Sequence, residues 1–218
     1  MRTFFRNYGL SLTMLGFFLV LLFVGQVGAG MAQYNEARAK AGQPKLTVGP
    51  YLLSPHFVEA TAENWESEFL QMGIYVFATA WLYQKGSAES KDPRKRHLHT
   101  GTRRVTPSSP WPVRRGGWVL AIYRHSLSLA FLTFFLIAFS LHALGGQRLY
   151  NEERGRDGEP PLTLEGYVTS SRFWFESFQN WQSEFLAIGS MVVLSIFLRE
   201  VNSPESKKLS TPTWENEE

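Results

Sequence analysis

YGLSLTMLGFFLVLLFV, residues 8–24, contains no charged side chain, and neither does SLSLAFLTFFLIAFSL, residues 126–141. Extended to Gly30, the first run gives 23 residues, roughly 34 Å of helix, which is enough for a ~30 Å hydrocarbon core. The second run, extended over Tyr123–Leu144, meets the same length criterion. Between them the chain is polar, and the mean hydropathy of −0.16 averages two unlike kinds of segment. The expected fold class is therefore all-α, an integral membrane bundle.

Two further spans are expected from shorter apolar stretches, Phe69–Tyr83 and Phe185–Leu198. Each reaches membrane length only if extended backwards through Trp65 or Trp181. Ser54-Pro55 and Ser170 supply helix starts, with serine as N-cap and proline in the first turn. The expected helices are Pro55–Tyr83 and Ser171–Arg199, with first turns standing outside the membrane. Trp65 and Trp181, amphipathic rings near the ends of the apolar stretches, read as interface anchors. The N-terminal run, with Arg2 and Arg6 before it and small residues after it, also has signal-peptide features. Its length, and its recurrence deep in the chain, favour a retained helix.

Fourteen Lys and Arg residues fall at the two ends and in the central segment, against seven in the other two connections. That bias orients a four-span protein with both termini and the central segment in the cytoplasm, in a bacterial inner membrane.

Aligning Tyr34–Lys91 on Tyr150–Lys207 at an offset of 116 gives 24 identities in 58 positions without a gap. The clearest runs are Asn64-Trp65-x-Ser67-Glu68-Phe69-Leu70 and Asn180-Trp181-x-Ser183-Glu184-Phe185-Leu186. Tyr-Asn-Glu-x-Arg (34–38, 150–154) and Gly-x-Pro-x-Leu-Thr (42–47, 158–163) also recur, in segments assigned to the outer loops. The expected organisation is a hairpin repeat over 1–91, a basic, disordered linker over 92–117, a second hairpin over 118–207 and a flexible tail over 208–218. Each copy has an even number of spans, so the repeats are parallel rather than inverted.

These motifs, with Glu-Ser-Lys (89–91, 205–207) and Pro110-Trp-Pro-Val-Arg-Arg-Gly-Gly-Trp118, are those of a known group of sequences. The chain resembles, over nearly its whole length, an uncharacterised family of bacterial four-span membrane proteins catalogued as a domain of unknown function. The resemblance implies a membrane location and bacterial origin, and supplies no chemistry.

At 100° per residue, Ser54, Phe57, Thr61, Asn64, Glu68 and Thr79 form one stripe, repeated by Ser170, Phe173, Ser177, Asn180, Glu184 and Ser195. Gln26 and His142 align with each other near the outer ends of the odd spans. Gln26, Asn64, Glu68, His142, Asn180 and Glu184 are thus the candidate buried polar cluster, with Glu68 set against Gln26 and Glu184 against His142. Interhelical hydrogen bonding is one reading of it; a proton or ion path through Glu68 and Glu184 is the other. Arg94, Lys95, Arg96, Arg103, Arg104, Arg114 and Arg115 are candidate contacts for anionic lipid.

Cys is zero, which excludes disulfides and thiolate sites. P-loop, dinucleotide-binding, HExxH and G-x-S-x-G patterns are missing from the sequence. His125 and His142 stand 17 residues apart, about 25 Å along a helix, too far to share one metal. The expectation is a non-catalytic structural or interaction protein, with no catalytic residue, metal or cofactor. Its expected partners are membrane lipids and, through the outer loops, a second copy or another membrane protein. The net charge of +3 and the lack of a fold around the basic runs argue against nucleic acid.

Overall fold

The computed structural model describes residues 2–90 and 105–216. The described residues are helical, with turns and no strand. Helix α1 (Arg2–Val20) continues through a π-helical stretch, Leu21–Ala29, into α2 (Gly30–Lys40). Then come α3 (Val48–Leu52) and α4 (Pro55–Trp81). After the central segment follow α5 (Trp111–Arg115), α6 (Gly117–Arg124), α7 (Ser126–Arg156), α8 (Leu164–Val168) and α9 (Ser171–Phe197).

Two helices are long and apolar enough to cross a membrane, Phe4–Lys40 and Ser126–Arg156. Helices α4 and α9 have 27 residues each, about 40 Å. Glu59, Glu63, Glu66 and Glu68 in α4, and Arg172, Glu176 and Glu184 in α9, keep them more polar than the other two. Both start where serine capping places them: the amides of Phe57 and Phe173 donate to Ser54 Oγ (3.3 Å) and Ser170 Oγ (3.4 Å).

Contacts divide the chain into two compact units, one of residues 1–63 and 139–174, the other of 64–138 and 175–218. In the first unit two small cores form. One holds Val27, Tyr34 and Tyr51, the other Ala143, Tyr167 and Phe173. The Tyr51 and Phe57 rings meet edge-on at 5.5 Å and 66°; Tyr167 and Phe173 do so at 5.5 Å and 67°. A Cβ at Gly30 would collide with the Tyr51 hydroxyl, and one at Gly146 with the Tyr167 hydroxyl, so glycine sets the closeness of both approaches.

Tyr-Asn-Glu-x-Arg belongs to helices in both places, not to loops: Tyr34–Arg38 lies in α2 and Tyr150–Arg154 in α7. Asn35 grips the returning chain through its Nδ2 to Leu46 O (2.9 Å) and through Leu46 N to its Oδ1 (2.7 Å). Asn151 grips Leu162 with bonds of 2.9 and 2.8 Å. The Arg38 and Arg154 side chains donate Nε–H to Pro44 O (2.9 Å) and Pro160 O (2.8 Å). Between them Gly42 (φ 69°) and Gly158 (φ 74°) take the left-handed conformation that ends each helix.

The second unit corrects the tail. Residues 208–216 are not free: Asn216 Nδ2 donates to Gln84 O, Ser87 O and Ser90 O, while its Oδ1 accepts from Gly86 N and Tyr83 Oη. Lys207 is buried, its ammonium satisfied by the carbonyls of Pro212, Thr213 and Glu215. Trp214 packs edge-on against Phe197 at 5.6 Å. A polar segment is held here because its hydrogen bonds go to backbone groups of turns, which no helix or sheet satisfies. Of the expected linker, 92–104 lies outside the described residues, and 111–115 is the short helix α5, which proline at its second position pre-sets.

Candidate functional site

The six residues expected to form one buried cluster are divided between the two units. Gln26 and His142 belong to the first unit, and Asn64, Glu68, Asn180 and Glu184 to the second. Asn64 and Glu68 are exposed, and only His142 is fully buried. The reason is rotational. Glu66 stands 200° round the helix from Glu68, and the buried face of α4 at this level carries Glu66 and Ser67. The Asn64–Glu68 stripe therefore points outward.

Gln26 Nε2 donates to Thr61 Oγ1 at 2.7 Å, within the first unit. Thr61 Oγ1 in turn donates to Phe57 O at 2.6 Å. His142 lies with Glu59 and Glu63, the potential ligand atoms of all three within 4.8 Å of one another. Its ring also leans on Phe173, 4.9 Å between centroids.

The rest of the first unit's polar groups form a chain at the helix ends. Tyr34 Oη donates to Glu152 Oε2 at 2.8 Å, and its ring stacks on His56 at 4.9 Å. His56 Nδ1 shares a hydrogen bond with Tyr51 Oη at 3.2 Å. Burial lowers the His56 pKa below 6.5, with the Glu152 charge acting the other way. Burial, then the bond to Glu152 and its charge, raises the Tyr34 pKa; burial alone raises that of Tyr51. Arg172 bonds Glu153 at 2.6 Å and sits 4.6 Å over the Tyr150 ring.

In the second unit, Glu68 is exposed and Glu184 half-buried. Gln71 Nε2 donates to Glu184 O at 3.3 Å, and Asn180 Nδ2 to Glu176 O at 3.2 Å. Trp65 sits at the surface beside Phe69. The Trp181 indole N–H donates to Glu66 Oε1 at 2.9 Å. An apolar groove of about 660 Å³ runs between Phe69, Gly73 and Phe77 on α4 and Leu129, Leu132 and Phe135 on α7.

Beyond the helices, Glu89 Oε2 accepts from Tyr75 Oη, and Ser87 Oγ bonds Ser195 Oγ at 2.9 Å. Burial and the neighbouring Glu205 raise the Glu89 pKa, which the Tyr75 bond partly offsets. Arg114 and Arg115 are exposed at the end of α5, with Arg115 placed 5.5 Å over the Trp111 ring. Arg94, Lys95, Arg96, Arg103 and Arg104 lie outside the described residues.

Glu59, Glu63, Glu66 and His56 were not singled out as a site from sequence, because none is matched by an identical residue 116 positions on. The signal was present in the i, i+4 spacing of Glu59 and Glu63.

No curated protein and no solved structure matches the chain. A family model described as a domain of unknown function (DUF6766) matches residues 1–218. The chain belongs to that family.

Proposed function

We propose that this is a four-span protein of the bacterial inner membrane, built of two tandem hairpins, that serves as a non-catalytic structural or interaction protein. The observation that carries the reading is the recurrence of one bonding scheme 116 residues apart. Asn35 and Asn151 pin Leu46 and Leu162 alike. At the opposite helix ends, Gln84 N and Glu200 N donate to Ser90 Oγ and Ser206 Oγ at 2.9 and 2.8 Å. The amides of Glu89 and Glu205 both donate at 3.2 Å, to Ser87 Oγ and Ser203 Oγ. What has been kept in both copies is bonding that holds backbone, the signature of a scaffold.

Lipid as surroundings is supported by exposure. Little of either long apolar helix is buried, whereas the core helix of a soluble protein would be covered. Phe77, Trp81, Leu186, Val193 and Phe197 on α4 and α9 are exposed as well. The Lys and Arg bias supports cytoplasmic termini.

The pinned segments hold Val48, Leu53 and Leu164 exposed, a firm apolar edge suited to another membrane protein or a second copy. Photo-crosslinkers placed at these three positions in cells should capture one discrete partner or a dimer. Capture of lipid alone would end the interaction reading.

A second reading is a small proton or ion conductor using Glu68 and Glu184, carboxylates that recur 116 residues apart on α4 and α9. Proton flux into proteoliposomes, abolished in Glu68→Gln/Glu184→Gln, would replace the first reading with this one.

A further inference from the structure

We propose that Glu59, Glu63 and His142 bind one divalent first-row transition cation of the Zn²⁺ or Mn²⁺ type. Glu59 and Glu63 stand four residues apart on α4, so their side chains rise from the same face one turn from each other. His142 comes from α7 and is fully buried. Glu59 and Glu63 are half-buried, which sets them apart from an ordinary surface pair of acids.

The backbone is built to hold α7 here. A Cβ at Gly145 would stand 2.8 Å from Glu59 N and 3.1 Å from Glu59 Cα. Only glycine admits that approach, and it seats the turn of α7 carrying His142 directly against the turn of α4 carrying the two acids. The ligand atoms already lie within 4.8 Å of one another. Around a tetrahedral ion with bonds of about 2.1 Å, ligand atoms stand about 3.4 Å apart. Closing the site therefore takes side-chain rotations of about an ångström rather than movement of helices.

The donor chemistry selects the ion. Two carboxylates and one imidazole suit Zn²⁺, Mn²⁺ and their neighbours, whereas Ca²⁺ and Mg²⁺ ask for oxygen alone. Two adjacent carboxylates repel, and a doubly charged cation offsets both charges at once. Three protein ligands leave a fourth position for water.

The chain's own repeat supplies an internal contrast. The positions 116 residues from Glu59, Glu63 and His142 are Phe175, Gln179 and Gln26, none of which ionises. The bonds that hold the scaffold are duplicated, and this triad is not. Groups needed only for packing would have no reason to differ so completely between the copies.

The test uses the full-length protein in detergent micelles, carrying a tag without histidine and stripped with a chelator. Calorimetric titration with Zn²⁺ and separately with Mn²⁺ should show one equivalent bound, and Co²⁺ should develop the visible bands of a tetrahedral nitrogen–oxygen site. Glu59→Gln, Glu63→Gln and His142→Gln should each weaken binding at least tenfold, and His142→Gln should shift the Co²⁺ bands. Circular dichroism melts show whether each variant is folded; Glu63→Gln, which keeps shape and volume, serves if His142→Gln unfolds. No binding to the stripped wild-type protein overturns the proposal. Stoichiometric binding that survives the triple substitution also overturns it, placing the ion elsewhere.

Discussion

The indole N–H of Trp181 donates to the carboxylate of Glu66 at 2.9 Å, and Glu66 is completely shielded from solvent. A buried carboxylate must be satisfied, and here an aromatic side chain from α9 satisfies one from α4. Trp181→Phe removes the donor and leaves the acceptor in place, which costs about 1–3 kcal/mol. Glu66→Gln keeps a carbonyl acceptor and should cost less. Thermal unfolding in detergent, followed by circular dichroism, orders the two variants; equal stability of Trp181→Phe and wild type would contradict the pairing.

Asn35 and Asn151 each make two hydrogen bonds to one residue of the returning chain. Alanine at either position frees an N–H and a C=O at Leu46 or Leu162. The expected loss is about 1–3 kcal/mol for each variant. Hydrogen exchange should quicken locally, at residues 41–47 for Asn35→Ala and 157–163 for Asn151→Ala, while the other copy stays protected.

Two of the shifted groups, His56 in the first turn of α4 and Glu89 beyond its end, act in opposite pH directions. His56 has its pKa lowered by burial, so the folded protein holds fewer protons than the unfolded chain. Its contribution is present above about 6.5 and is lost as pH falls through the folded value. Glu89 has its pKa raised by burial and Glu205, so its contribution is complete below the ordinary carboxylate value of 4.5 and is lost as pH rises through the folded value. Melting temperatures from pH 4 to 8 should lose their acid-side decline in His56→Gln and part of their alkaline-side decline in Glu89→Gln.

Asn216 accepts from Gly86 N and Tyr83 Oη and donates to three carbonyls of the 84–90 turn. Asn216→Ala leaves that turn without its central partner. Exchange of the amides of 84–90 should rise several-fold, and protease should cut there, with α7 unaffected. Unchanged protection would mean that Trp214 on Phe197 holds the segment alone.

Gly146 lies against the Tyr167 hydroxyl, where a methyl group has no room. Gly146→Ala should lower stability by about 1–3 kcal/mol through the forced shift of a fully buried ring. Adding Tyr167→Phe, which removes the clashing oxygen, should recover part of the loss.

Much of the helical frame was legible in the chain. Uncharged runs can be only buried or in lipid, and the serines at 54 and 170 mark the starts of α4 and α9. The offset of 116 also picked out Asn35 with Asn151 and Arg38 with Arg154, because backbone-holding residues persist wherever the same turn is made. The polar cluster was not legible. Periodicity gives a residue's angle on its own helix and leaves open which neighbour that angle meets. Gly145 against Glu59 brings His142 to Glu59 and Glu63, a grouping that no spacing along the chain announces. The same indeterminacy left Glu66 unremarked while Glu68, two residues on, was chosen.

The sequence by itself determined the helical class, the apolar runs long enough to cross a membrane and the recurrence of motifs 116 residues apart, since composition and spacing act locally along the chain. Tertiary structure alone decided which carboxylates are buried and what they face, because burial depends on the rotation and approach of a second helix, as where Gly145 meets the backbone of Glu59 and Trp181 reaches Glu66.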